Sequence, residues 1–374
     1  MPGLYIHIPF CKSRCTYCGF FSTTQSDLRQ AYVEALLGEM LLAPSDGQTV
    51  ETVYLGGGTP SWLAPEQLQR LLDGVRQNYP LAPDAEVTVE CNPDDVVAGG
   101  PLLDLLARGV GQGPLRVSMG AQTFDNQRLA QMGRRHTAEQ VEVAVRRLRQ
   151  AGVENLSLDL MYGFPHQDLR QWEADIQRAL RLRPDHLSAY CLSYEEGTPL
   201  WRQLQRGEIA ENDEETERQM YYTLVDRMAQ AGFEHYEISN FALPERRSRH
   251  NSSYWHDVPY IGLGAGAHEY TGRERRWNCS DLQPYIAAIG QGRRPQEAET
   301  IDPTTRYNEA VMLRLRTADG LPLDLLPTEM RRYCLQQATP FVRQGLLLRR
   351  DDRLVLSREG LFLSDMIARE LMAL

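Results

Sequence analysis

The sequence predicts an α/β protein: an open, partial TIM-like barrel of about six parallel strands, followed by a small C-terminal winged-helix-like α+β domain. Three observations lead there. From residue 3 to about 190, short β-rich runs alternate with amphipathic stretches long enough for crossover helices. Only six such units are visible, fewer than a closed eight-stranded barrel requires. Beyond about residue 305 the pattern changes to helix, hairpin, helix, with the hairpin turning at Asp351-Asp352.

Taken in order, LYIHI (4–8) is a strand, and residues 27–42 carry helical periodicity. TVYLGGG (52–58) is a strand ending in glycines. PEQLQRLLDGVRQ (65–77) is a helix with proline near its start. AEVTVECNP (85–93), LRVSMGAQ (115–122), ENLSLDLMYG (154–163) and DHLSAYCLS (185–193) are further strands, with helices over 101–109, 137–152 and 168–182 between them. Residues 194–245 are helical and acidic, closing with a short strand, HYEIS. The predicted division is 1–245 for the barrel and this helical segment, 246–304 for a loop-rich connection, and 305–374 for the small domain.

Composition narrows the function classes. A net charge of −10 over 374 residues argues against a general polyanion binder, so the winged-helix-like tail is read as a packing or lid domain and no nucleic-acid partner is expected. Lys12 is the only lysine, which excludes a P-loop or a Schiff base elsewhere. No apolar run is long enough to cross a bilayer, and the first residues read as a strand rather than a secretion signal. A cytoplasmic protein, not integral to a membrane, is expected. Of the seven cysteines, Cys91, Cys191, Cys279 and Cys334 are scattered and read as free thiols.

The other three, Cys11, Cys15 and Cys18, lie in "HIPFCKSRCTYCGFFS" (7–22), directly after a strand. Thiolates at C-x3-C-x2-C spacing on one loop suit a [4Fe–4S] cube, with the fourth iron left open for a nitrogen and oxygen chelate. A zinc site completed by His7 or a remote cysteine is the alternative, although structural zinc ligands usually come as two separated pairs.

The segment resembles the radical S-adenosylmethionine (SAM) superfamily, whose cluster loop has this spacing with an aromatic before the third cysteine, here Tyr17. The resemblance implies a [4Fe–4S] cluster on Cys11, Cys15 and Cys18, with SAM chelating the open iron. GGGTPS (56–61) matches the superfamily's glycine-rich segment near the SAM amino group, through Gly57, Gly58 and Thr59. Tyr5, Tyr17, Glu90, Gln122, Arg134 and Asp159 fall where the HemN/HemW branch lines its SAM site. Blocks such as "YIHIPFC", "YLGGGTPS", "SMGAQTF", "DLMYGFPHQ", "YEISNFA" and "YIGLGAGAH" look like that branch along nearly the whole chain. Phe20 stands where the decarboxylating HemN side has another cysteine, and little sequence precedes Cys11. Both features resemble the haem-chaperone, HemW side. Gly19 departs from the aspartate usual there.

That side implies haem as ligand, haem-accepting membrane respiratory proteins as partners, and a homodimer as the assembly. "SRHNSSYWHDVPYIGLGAGAH" (248–268) contains the branch's H-N-x-x-Y-W motif; the resemblance makes His250 the expected haem ligand, and the residues alone also read as a loop histidine satisfied by a backbone carbonyl. Tyr254, Trp255 and Tyr260 are expected against the porphyrin, and Arg246, Arg247 or Arg249 near its propionates. Oxidative decarboxylation of coproporphyrinogen III and radical SAM methyl transfer are the rival functions.

Overall fold

The computed structural model describes residues 2–109 and 115–373. Its first half alternates strand and helix: β1 (Gly3–Ile8), α1 (Arg29–Leu42), β2 (Val50–Gly57), α2 (Pro65–Asn78), β3 (Leu81–Cys91), α3 (Pro93–Ala98), α4 (Pro101–Arg108), β4 (Leu115–Gln122), α5 (Asn126–Gln131), α6 (Ala138–Gln150), β5 (Asn155–Tyr162), α7 (Leu169–Arg181) and β6 (His186–Cys191). Then come α8 (Pro199–Gln205), α9 (Glu214–Gln230), β7 (Glu234–Glu237), β8 (Asn240–Ala242), α10 (Arg249–Trp255), β9 (Tyr260–Leu263), β10 (His268–Tyr270), β11 (Glu274–Asn278), α11 (Leu282–Gly290) and β12 (Gln296–Thr300). Local signals set these boundaries. Thr137 with Gln140 and Asp168 with Gln171 form capping boxes that start α6 and α7.

Strands β1 to β6 are parallel neighbours in chain order, as expected. The expected count of about six is too small for the whole sheet, which has twelve strands in the order β12-β11-β10-β9-β1-β2-β3-β4-β5-β6-β8-β7. β9 joins β1 in parallel, and antiparallel strands extend both margins. Residues 246–304 are accordingly not a loop-rich connection: they hold α10, α11 and β9–β12. Their strands have only 3 to 5 residues each, too short for alternation to stand out in the sequence.

Alternation along β4 and β5 assigns the two faces of the sheet. Val117, Met119, Leu156 and Leu158 are fully buried in one apolar core with Leu148 of α6 and Ile176 of α7. Arg116, Ser118, Asn155, Ser157 and Asp159 occupy the alternate positions, on the opposite, polar face. Helix α10 closes that face near the strands' N-terminal ends. Glu86 of β3 accepts the backbone N–H groups of Arg249 and His250, at 3.1 and 3.0 Å, placing a carboxylate at the helix's positive end.

The C-terminal module runs α12 (Pro303–Leu315), β13 (Leu321–Pro322), α13 (Thr328–Arg343), β14 (Leu347–Arg350), β15 (Arg353–Leu356), α14 (Arg358–Leu361) and α15 (Ser364–Leu371). Its three strands pair in the order β13-β15-β14, and Val311, Leu347, Leu354 and Ile367 belong to its separate core. The hairpin turns at Asp351-Asp352, as expected. Among the described residues, no helix is long and apolar enough to cross a membrane.

Candidate cluster and nucleotide site

A cavity of about 700 Å³ opens where β2 to β6 end. Cys11, Cys15 and Cys18 line it from the loop after β1, and Tyr17, Gly57, Gly58, Thr59, Glu90, Gln122, Arg134 and Asp159 line it as well. Parallel strands put the residues that follow them at one edge, so motifs far apart in sequence converge.

The cysteine loop is closed at its base. Cys11 N–H donates to the Thr23 carbonyl at 2.9 Å, and Thr23 N–H to that of Pro9 at 2.7 Å. Thr59 Oγ1 lies 3.5 Å from Cys11 Sγ, and Arg134 Nη1 lies 3.5 Å from Cys15 Sγ. Burial pushes the Cys11 and Cys18 thiols up, so loading a metal there releases protons. Three free thiols facing one cavity, with hydroxyl and guanidinium donors beside two of the sulfurs, fit the donor set of an iron–sulfur cluster.

The glycine turn fits closely against β1. Gly57 has φ +108°, and a Cβ on Gly58 would lie 2.7 Å from the Pro9 carbonyl carbon. The Gly57 N–H donates to Glu90 Oε2 at 3.0 Å, and the Tyr54 hydroxyl donates to Oε1 at 2.7 Å. Burial nevertheless raises Glu90 to about 7, so its charge is poised near neutral pH. Asp159, across the floor, accepts from Ser118 Oγ at 3.1 Å and is also raised by burial. The charge of Arg116 opposes both shifts. Its side chain is buried on β4, with Nε and Nη1 unpaired among the described residues.

Arg134 is aimed by acceptors: Nη2 donates to Asn92 Oδ1 at 2.8 Å and to the Gly120 carbonyl at 2.7 Å. Gln122 has φ +65°, unusual for a residue with a Cβ, at a register shift between β4 and β5. That turn of the backbone directs a strand-end side chain to the cavity.

Two predicted site residues lie elsewhere. Tyr5 is not among the cavity-lining residues. It stacks behind Tyr54, with ring centroids 6.2 Å apart, and its hydroxyl is 2.9 Å from His7 Nδ1. Its ring meets the Glu90 network through Tyr54. His250, the expected haem ligand, is fully buried with both ring nitrogens engaged: Nδ1 is 2.8 Å from Thr52 Oγ1, and Nε2 is 2.8 Å from the Tyr254 hydroxyl. Its ring stacks on Tyr54 at 5.1 Å, and desolvation lowers its pKa to about 3. This arrangement makes His250 a structural strut, without a free nitrogen for iron. Arg247 pairs with Glu234 and Arg249 with Asp84.

Sequence reasoning missed Tyr54, Asn92, Ser118, Met161 and Tyr190, all of which line the cavity. Strand parity was the available signal: Ser118 and Gly120 precede Gln122 by even steps, and Met161 follows Asp159 by two.

Comparison with known proteins agrees with this geometry. Residues 5–179 match the radical SAM superfamily, and residues 301–363 match the HemN C-terminal domain. The chain is 36% identical over 377 residues to "Heme chaperone HemW" of Mycobacterium tuberculosis, covering 99% of this chain and 94% of that one. It is 34% identical to the Escherichia coli protein of the same name, covering 86% and 84%. Mitochondrial "Radical S-adenosyl methionine domain-containing protein 1" of Bos taurus is 34% identical, covering 87% and 70%. Coproporphyrinogen III oxidase (HemN) from Escherichia coli shares the fold, with a TM-score of 0.83 at 21% identity over 100% of this chain and 90% of that one. The chain belongs to the radical SAM superfamily and, within its HemN/HemW branch, to the HemW family.

Proposed function

We propose that this protein is a haem chaperone of the HemW type, which binds a [4Fe–4S] cluster, SAM and haem and hands haem to acceptor haemoproteins. The observation that carries this reading is the convergence of three thiols, a glycine turn, two carboxylates and Arg134 on one cavity. Its relatives over 94% and 84% of their length are named haem chaperones. When bound, the cluster and SAM would supply reductive cleavage of a sulfonium C–S bond.

The chain's own residues divide the remaining work. Cys11, Cys15 and Cys18 would hold the cluster. The Gly57–Thr59 turn gives a polar ligand close access to backbone. Glu90 and Asp159 offer acceptors to ammonium or ribose hydroxyl groups, while Arg134 places a fixed charge beside the Cys15 sulfur. A cytoplasmic setting and haem-accepting protein partners belong to the same proposal. Phe20, in place of a further cysteine, is 71% exposed at the cavity mouth and separates this reading from coproporphyrinogen decarboxylation.

The test is anaerobic reconstitution followed by parallel assays. Expected are iron and sulfide bound in equal amounts, SAM binding, haem uptake and haem transfer to an apo-haemoprotein. Formation of protoporphyrinogen from coproporphyrinogen would replace the chaperone reading with the enzymatic one.

A further inference from the structure

Two motif residues stop short of the cavity, and both end on the same side chain. Tyr5 of β1 is the cross-strand partner of Tyr54 on β2, and the two rings stack with centroids 6.2 Å apart and planes at 30°. His250 stacks on Tyr54 from α10, with centroids 5.1 Å apart and planes at 28°. Both rings are pinned at their polar ends. The Tyr5 hydroxyl lies 2.9 Å from His7 Nδ1, and the two nitrogens of His250 are engaged by Thr52 and Tyr254. A Cβ on Gly3 would lie 3.2 Å from the His250 ring, so the imidazole packs closely against bare β1 backbone.

Tyr54 is the one of these three that lines the cavity. Its hydroxyl donates to Glu90 Oε1 at 2.7 Å, while Oε2 accepts the Gly57 N–H at 3.0 Å. Two donors therefore fix the carboxylate that faces a cationic ligand. The backbone donor is set by the glycine turn, but the phenol hydroxyl is only as well placed as its ring. That ring turns about two torsions, and stacked neighbours remove the freedom. The helix carrying His250 belongs to the same wall. Asn251, the next residue, lines the cavity, and Glu86, four residues before Glu90 on β3, accepts the Arg249 and His250 N–H groups.

We infer that Tyr5 and His250 are positioning residues of the nucleotide site: they hold Tyr54 in the place from which its hydroxyl orients Glu90 toward SAM. This rests on the SAM-binding part of the reading above and extends that site to the layer behind it. The H-N-x-x-Y-W helix then serves the nucleotide, through Tyr54.

The experiment titrates SAM calorimetrically into the full-length protein, its cluster reconstituted anaerobically, and into Tyr5→Leu and His250→Gln, each made with Tyr54 intact and with Tyr54→Phe. Circular dichroism and iron content first establish that each variant is folded and loaded; if one of the two does not fold, the other carries the same comparison. Expected is a Kd about fivefold weaker in each single variant, Tyr54→Phe included. Combining either with Tyr54→Phe should cost nothing further, because the hydroxyl through which they act is already gone. His250→Phe, which keeps a ring against Tyr54 but loses both hydrogen bonds, should return the Kd to within about twofold of the parent's. Losses that multiply to about twenty-fivefold in the double variants would overturn the inference. An unchanged Kd in folded Tyr5→Leu or His250→Gln would overturn the role of that residue, and an altered haem spectrum beside that unchanged Kd in His250→Gln would assign the imidazole to iron instead. A cluster-loaded parent that binds no SAM would overturn the functional reading as well.

Discussion

Two motif-bearing regions of this molecule behave in opposite ways. At the carboxyl edge of β1 to β6, the motif residues turn toward one cavity, and their charges and sulfurs face it. At the H-N-x-x-Y-W helix, the motif residues turn inward: His250 is clamped between Thr52 and Tyr254 and stacked on Tyr54. The first region sets its polar groups around an open cavity; the second buries them against other parts of the protein. A ligand-type residue within a family motif is therefore available only if it lines a space that a ligand can enter.

The largest expected effect breaks the first region alone. Replacing Cys11, Cys15 and Cys18 together by Ala should reduce iron and sulfide, assayed after anaerobic reconstitution, to background. These thiols are only partly buried, so the thermal midpoint of the metal-free protein should stay nearly unchanged. Retained iron would remove the distinction between the regions.

His250→Ala should do the reverse, leaving iron uptake intact while costing about 3–4 kcal/mol in urea unfolding, from a cavity and two orphaned hydroxyl partners. The pH dependence sharpens this. Folded His250 holds its pKa near 3 against 6.5 for the free side chain, so the folded state binds fewer protons. Its contribution is present above pH 6.5 and is lost as pH falls toward 3. His250→Phe should flatten that part of the acid limb.

Glu90→Gln should weaken SAM binding about tenfold in calorimetric titration, by removing one charge-assisted acceptor. The sign of its pH effect is opposite to that of His250. Glu90 keeps its proton to about 7 in the fold against 4.5 when free, so stability present at low pH is lost as pH rises through that window. Glu90→Gln should be the more stable protein at pH 8 by about 1–2 kcal/mol and nearly equal to the parent at pH 4, as measured by urea titration.

Gly19→Asp, which restores the residue usual in the family, should have the smallest effect. The new Cβ would meet Glu195 Cγ at 3.3 Å, so two carboxylates become neighbours at an exposed position. Destabilisation below about 1 kcal/mol is expected. A larger loss would mean that the cysteine loop tolerates little charge at its rim.

Much of this was readable before folding was considered. The six parallel strands, their helices, the C-terminal hairpin and the three-cysteine loop follow from local signals: alternation, capping residues, glycine turns and ligand spacing. Of the predicted nucleotide-site residues, Tyr5 is the one that stands a layer back, because Tyr54 occupies the space between it and Glu90. The four short strands of 246–304 escaped notice because segments of 3 to 5 residues carry too little pattern.

Sequence alone determined which chemistries are available, since residue types and their spacing along one loop decide what a cluster of thiols can bind. Tertiary structure decided which groups are free to use it. Whether His250 offers a lone pair depends on Thr52, 198 residues earlier on β2, as well as on Tyr254 one turn along its own helix. Hydrogen-bond satisfaction is settled by neighbours in space, and no local pattern records it.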